Sequence, residues 1–268
     1  MGGIQVDPAL QYERCLALNP RVGDSIRGAV RACARLPVRS VVCWGSIPLG
    51  GFIPHHSDID LLFVSAGAPE GGPWPALLAE LGSPSLDPIV VADSDLVLRE
   101  PRGIRSLAPR RECVLHAMDL ILIRRYSVVV EGEDLRGTIP DLKEADEIGG
   151  ILRHVQDVLV SAELRKLSAR GGETALVATD VLNVAHVMIR CLYTLRHGAL
   201  ASKPAALDWA IGAFGRRAEC EPFVRLCRAL RAELQDDGTA RRELPGIFRQ
   251  AEPVWTRLVG EGKDGREP

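Results

Sequence analysis

Between Arg21 and Leu36 the apolar residues Val22, Ile26, Val30, Cys33 and Ala34 return at helical intervals with arginines between them, which predicts an amphipathic helix. The pattern then changes. PVRSVVCW (37–44) is short, Val-rich and ended by Gly45, while IDLLFV (59–64) and DPIVVA (87–92) are two further apolar runs, so three strands are expected. Between the second and third, a Gly/Pro cluster marks a loop, and Trp74 to Leu81 reads as a short helix stopped by Gly82. Helix, strand, turn, strand, helix, strand is the order of a small α/β sheet. From about Glu144 onward, EADEIGGILRHVQDVLVSAELRKL and TALVATDVLNVAHVMIRCLYTLRHG carry helical periodicity without strand alternation, which predicts a helical second half. Residues 96–118 follow neither pattern, and LILIRRYSVVV (120–130) reads either as the end of a helix or as a strand. The boundary is expected between 118 and 145, and EGKDGREP at the end reads as a frayed tail.

The length of 268 residues agrees with two domains, at about 100–200 residues each. The apolar share of 46% and the charged share of 25% are those of a globular chain. A net charge of -2 and a pI near 6.3 provide no overall basic field for a long nucleic-acid partner. The seven cysteines (Cys15, Cys33, Cys43, Cys113, Cys191, Cys220 and Cys227) are odd in number and lack CxxC spacing, so reduced core thiols are expected. No run approaches the roughly 20 apolar residues of a membrane span, and MGGIQVDPALQYERC has no basic region followed by an apolar run. A cytoplasmic, soluble protein without a membrane partner is the expectation.

Candidate chemistry concentrates in Trp44 to Phe63, WGSIPLGGFIPHHSDIDLLF. In a strand, residues two apart share a face, so Asp58 and Asp60 should project together while Ile59 goes to the core. Side-by-side carboxylates repel each other, and a hard divalent cation removes that repulsion. Gly45-Ser46 ends the first strand at a tight turn. There the missing side chain would admit a phosphate, Ser46 would donate to it, and a helix beginning at the turn would add its free N–H groups. Gly50-Gly51 would then fold the chain back towards Asp58. His55 and His56 read as loop-shaping residues, since Mg²⁺ prefers oxygen. His186, on an apolar helix, reads as a core or interface residue. Cys43 and Trp44 read as strand packing beneath the site, with Trp44 near enough to line a base pocket.

The pattern GSxxxGG followed by PHHSDIDLL resembles the signature of the minimal nucleotidyltransferase fold of the DNA polymerase β superfamily. More narrowly it resembles the aminoglycoside adenylyltransferases of the streptomycin and spectinomycin type. GGFIPHHSDIDLLF departs from the usual motif by one extra residue before the serine. In the second half, TDVLNVAHVMIRCLYTLRHGALASKPAALDWA resembles the segment that closes over the nucleotide. The resemblance implies an α+β protein. Residues 1–140 would form a nucleotidyltransferase domain, a small mixed sheet with flanking helices, and residues 141–268 an all-α bundle that closes on substrate and nucleotide.

The implied activity is transfer of AMP, or another nucleoside monophosphate, from a nucleoside triphosphate to a hydroxyl of an antibiotic-like small molecule, giving resistance. The implied cofactor is Mg²⁺, expected as a pair of ions, with ATP as co-substrate; a monomer is expected and a dimer left open. By resemblance Asp58 and Asp60 ligate Mg²⁺, and Gly45, Ser46 and Ser57 hold the triphosphate. Asp87 is the third carboxylate, as base or metal ligand, where streptomycin-type relatives carry a glutamate. Arg190 and Lys203 would contact the triphosphate, with Asp180 and Asn183 meeting the acceptor. Asp180, Asn183 and Arg190 stand at offsets of three and seven, close to one side of a helix. Asp180 to Arg190 spans about 15 Å of helix, at about 1.5 Å per residue.

The segment 101–120 departs from the streptomycin and spectinomycin pattern, being shorter and without the tryptophan expected there. Its loop of Arg102, Arg105, Arg110 and Arg111 is an odd surface to offer a polycationic drug. Two other readings stand beside this one. The first is an antitoxin-like enzyme that AMPylates a protein or modifies RNA, and the second is a nucleotide-binding module without catalysis.

Overall fold

The computed structural model describes residues 7–54, 57–69, 73–81, 85–96, 104–108, 111–115, 117–141, 178–235 and 243–263. The chain divides into two compact units, Met1–Leu142 and Lys143–Pro268.

The first unit opens with α1 (Pro8–Leu18), where the Asp7 carboxylate accepts from the backbone N–H groups of Ala9 and Leu10 and Pro8 occupies the first turn. A second proline-led helix follows at once, α2 (Pro20–Cys33), burying Val22, Ile26, Ala29 and Cys33. Then come β1 (Val38–Trp44), β2 (Ile59–Ser65), α3 (Trp74–Leu81) and β3 (Leu86–Ala92). A hairpin of β4 (Ile104–Ala108) and β5 (Arg111–Leu115), helix α4 (Ala117–Tyr126) and β6 (Val128–Gly132) complete the unit. The strands form one mixed sheet in the order β5-β4-β3-β2-β1-β6. β2 and β3 run parallel across the α3 crossover, and the other neighbours are antiparallel.

Why the central strands read as continuous apolar runs is visible in their packing. Val41, Cys43, Leu61, Phe63 and Val90 share a core with residues of α1, α2 and α3. Their neighbours Val42, Leu62, Val64, Ile89 and Val91 point the other way and are buried as well. Strands covered on both faces have no polar side to show.

Several expectations change in detail. LILIRRYSVVV is both a helix end and a strand, divided at Ser127, whose hydroxyl donates back to the Ile123 carbonyl. Segment 96–118 contains a hairpin, so Arg105 and Arg111 stand in paired strands instead of a loop. Arg102 and Arg110 lie outside the described residues, as do residues 144–167 and most of the tail. The helix expected over 21–36 starts at Pro20 and ends at Cys33. α1 was not foreseen.

In the second unit the described elements are α5 (Ala178–His197), α6 (Lys203–Phe214), α7 (Glu221–Glu233) and α8 (Leu244–Lys263). α8 packs on α5 and α7, and α6 on the same two helices. Their interior holds Ala185, Met188, Leu192, Phe214, Phe223 and Leu258. The Trp255 indole donates to the Met188 carbonyl at 3.1 Å, fixing α8 against α5. No strand occurs among the described residues of this unit. The six cysteines whose side chains are described, all but Cys113, are free and buried. No described helix is long and apolar enough to cross a membrane.

Candidate active site

The site lies at one end of the sheet, where β1 finishes and β2 and β3 begin. Strand register builds it: Trp44 stands opposite Asp60 on β1 and β2, and Asp60 opposite Asp87 on β2 and β3. Residues directly opposite each other point to the same face, so Trp44, Asp60 and Asp87 form one row across three strands. Asp58 comes just before β2 and two residues from Asp60, with Ile59 between them buried in the core. Carboxylate oxygens of Asp58, Asp60 and Asp87 all lie within 4.8 Å of one another. Asp58 is exposed, and the other two are half-buried. Three hard anionic ligands at this spacing suit a Mg²⁺-type cation, which favours oxygen donors.

Gly45 has a structural role besides the one expected of it. Its φ is +75°, and a Cβ built there would come within 2.0 Å of Asp60 Oδ2. The missing side chain therefore makes room for the Asp60 carboxylate itself. Residues 45–50 form turns, closed by Gly50 N–H donating to the Ile47 carbonyl and Gly51 N–H to the Ser46 carbonyl. No helix begins at Ser46. Gly50, at φ +68°, provides the second left-handed residue of the turn.

Two polar atoms beside this turn have no partner among the described residues: Ser46 Oγ and Trp44 Nε1, both buried. A buried polar atom without a hydrogen bond costs roughly 1–3 kcal/mol, so a place for two such atoms beside three carboxylates fits a ligand rich in oxygen. Ser57 shapes the approach to Asp58: its hydroxyl accepts from the Ile53 N–H at 3.1 Å, and its own N–H donates to the Ile53 carbonyl at 2.9 Å. Burial, and then the neighbouring Asp60 charge, push the Cys43 thiol well above its ordinary range. Cys43 stays neutral and packs in the core.

A groove of about 830 Å³ opens beside Asp58, lined among others by Pro20, Arg21, Phe52, Ser57 and Ser85. Pro20, Arg21, Phe52 and Ser85 were not singled out from sequence. Ser85 had a signal, two residues before Asp87, and its carbonyl accepts from the Ile59 N–H at 3.0 Å, holding the starts of β2 and β3 together.

The second unit brings two further candidates near each other. Arg190 on α5 donates from Nε to the Ala201 carbonyl at 3.1 Å, and Lys203 opens α6 two residues later. Ser202 caps α6 by accepting from the Ala205 N–H. Both cations act on His186, one turn before Arg190. Burial first, then the charges of Lys203 and Arg190, push its pKa down to about 3. His186 is thus a neutral, buried residue, in keeping with its non-catalytic reading. Asp180 and Asn183 belong to α5 with Arg190, and the placement of their side chains lies outside what is described. His55 and His56 also lie outside the described residues.

Among known structures, the chain is similar to the crystal structure of spectinomycin adenyltransferase AAD(9) from Enterococcus faecialis with ATP and spectinomycin. The TM-score is 0.58 at 14% sequence identity, covering 87% of this chain and 98% of that one. The likeness is one of fold. No family model and no curated protein matches the sequence.

Proposed function

We propose that this protein transfers AMP, or another nucleoside monophosphate, from a nucleoside triphosphate to a hydroxyl of an antibiotic-like small molecule, aminoglycoside or nucleoside in type. The observation that carries the reading is the row of Asp60 and Asp87, joined by Asp58 within 4.8 Å, against a glycine turn that excludes any side chain. The fold shared with an adenyltransferase supports it, and the resistance role follows from the acceptor class proposed.

Asp58, Asp60 and Asp87 would hold Mg²⁺. When bound, the metal supplies charge neutralisation for the phosphates and a template for in-line displacement. The chain's own groups supply the rest. Ser46 donates its unpaired hydroxyl to a phosphate oxygen, and Ser57 borders the same space. Asp87, at the outer end of the carboxylate row, takes the proton of the attacking acceptor hydroxyl directly or through one water. Arg190 and Lys203 give positive charge to the triphosphate, stabilising the charge that leaves with pyrophosphate. Asp180 and Asn183 on α5 bind the acceptor.

Incubation with ATP, Mg²⁺ and a panel of aminoglycosides and nucleoside antibiotics should yield pyrophosphate and a nucleotidylated product by mass spectrometry. ATP binding without any product across the panel would sink the acceptor assignment.

A further inference from the structure

We infer that Trp44 is a nucleotide-binding residue of this site, its indole N–H donating to a phosphate or ribose oxygen of the bound nucleoside triphosphate. The inference rests on the nucleotidyltransferase reading and adds a contact that the motif does not name.

Three observations carry it. First, the register places Trp44 in the same row, on the same sheet face, as Asp60 and Asp87, at the end of β1 where the carboxylates collect. Second, the ring is only 8% exposed and Nε1 has no acceptor among the described residues. An indole nitrogen can only donate, so a ligand oxygen at this point would supply the acceptor it lacks. Third, another buried and unpartnered atom, Ser46 Oγ, stands two residues along the chain, on the turn that ends β1. Ser40 provides the contrast. Its hydroxyl is also unpartnered, but it sits opposite Val64 and Gly132, four residues along β1 from Trp44 and outside the row of Asp60 and Asp87.

The row also says which substrate is met. Asp60 separates Trp44 from Asp87, and neighbouring strands are about 4.8 Å apart, so Trp44 stands roughly 10 Å across the sheet from the proposed base. The acceptor hydroxyl must lie against Asp87. Trp44 instead adjoins the Gly45-Ser46 turn, on the side proposed for the phosphates. The phosphates and ribose present oxygen acceptors there, with no carbon–nitrogen base needed to satisfy the N–H.

Trp44→Phe tests this, since it keeps an aromatic ring in the core and deletes the donor. The full-length variant should match or exceed the wild type in Tm without ligand, because an unsatisfied donor has been removed. Its Kd for ATP with Mg²⁺, measured by calorimetry, should rise about tenfold, which corresponds to about 1.4 kcal/mol. The KM for acceptor at saturating ATP should not change. In the wild type, saturating ATP should perturb tryptophan emission, and the variant at saturation should lack that component, which guards against a packing effect of the substitution. Equal ATP affinity and an equal emission change in both proteins would overturn the role of Trp44 and leave the nucleotidyltransferase reading standing. Absence of ATP binding by the wild type would overturn both.

Discussion

Asp60 meets three demands at once. It is a proposed metal ligand, it faces Asp87 across the parallel pair, and it fills the space that a side chain at position 45 would need. Asp60→Asn and Asp58→Asn should each reduce transfer about a hundred- to a thousandfold, the scale on which removing a key electrostatic group acts. Circular dichroism and Tm should stay near wild type, since neither carboxylate forms part of the core. Near-normal pyrophosphate release from either variant would remove the metal assignment. Gly45→Ala should be worse for the fold than for any other reason. The positive φ alone costs on the order of 1–3 kcal/mol, and the contact with Asp60 Oδ2 adds to it. A urea midpoint equal to wild type would contradict the geometry.

At the scale of elements, α5 and the start of α6 act together, since Arg190 is tied to the Ala201 carbonyl just before Lys203. Arg190→Gln should weaken ATP binding about tenfold, an effect of about 1.4 kcal/mol, and should also remove the Nε donation to the Ala201 carbonyl. Calorimetry with ATP would check it, and unchanged affinity would separate Arg190 from the triphosphate. Elements differ in how plainly the chain announces them. β1, β2 and β3 are Val- and Leu-rich because both their faces are covered, so they stand out at once. α1 does not, because PALQYERCLAL buries only Tyr12 and Cys15 and leaves Leu10 and Leu18 exposed. β4 and β5 carry Arg105, Arg111 and Glu112, the charged residues common towards sheet edges, and so hide among polar sequence. The carboxylates were legible from a two-residue spacing. The partnership of Asp60 with Gly45, and the row that includes Trp44, needed the β1–β2 register, which joins residues separated by a long turn.

For the whole molecule, pH should act on stability through His186. Its folded pKa is depressed to about 3, against roughly 6.5 for an unperturbed histidine. Between those values the unfolded chain binds a proton that the folded chain refuses, so stability falls as pH drops through that window. The slope is at most about 1.4 kcal/mol per pH unit, or on the order of 2 kcal/mol between pH 6.5 and 5. Urea unfolding at pH 7 and pH 5 should show that loss in the wild type and a smaller one in His186→Gln. A variant with the same pH dependence would mean that the histidine is protonated in the fold. The interlocking of Gly45 with Asp60 has a consequence for selection. With a side chain at 45, the nearest obstacles are Asp60 Oδ2 at 2.0 Å and Cγ at 2.8 Å, while Asp60 Cβ stands at an ordinary 3.4 Å. Asp60→Ala should therefore suppress part of the folding defect of Gly45→Ala. A screen for soluble protein would discard the carboxylate, and a screen for turnover would force the glycine back.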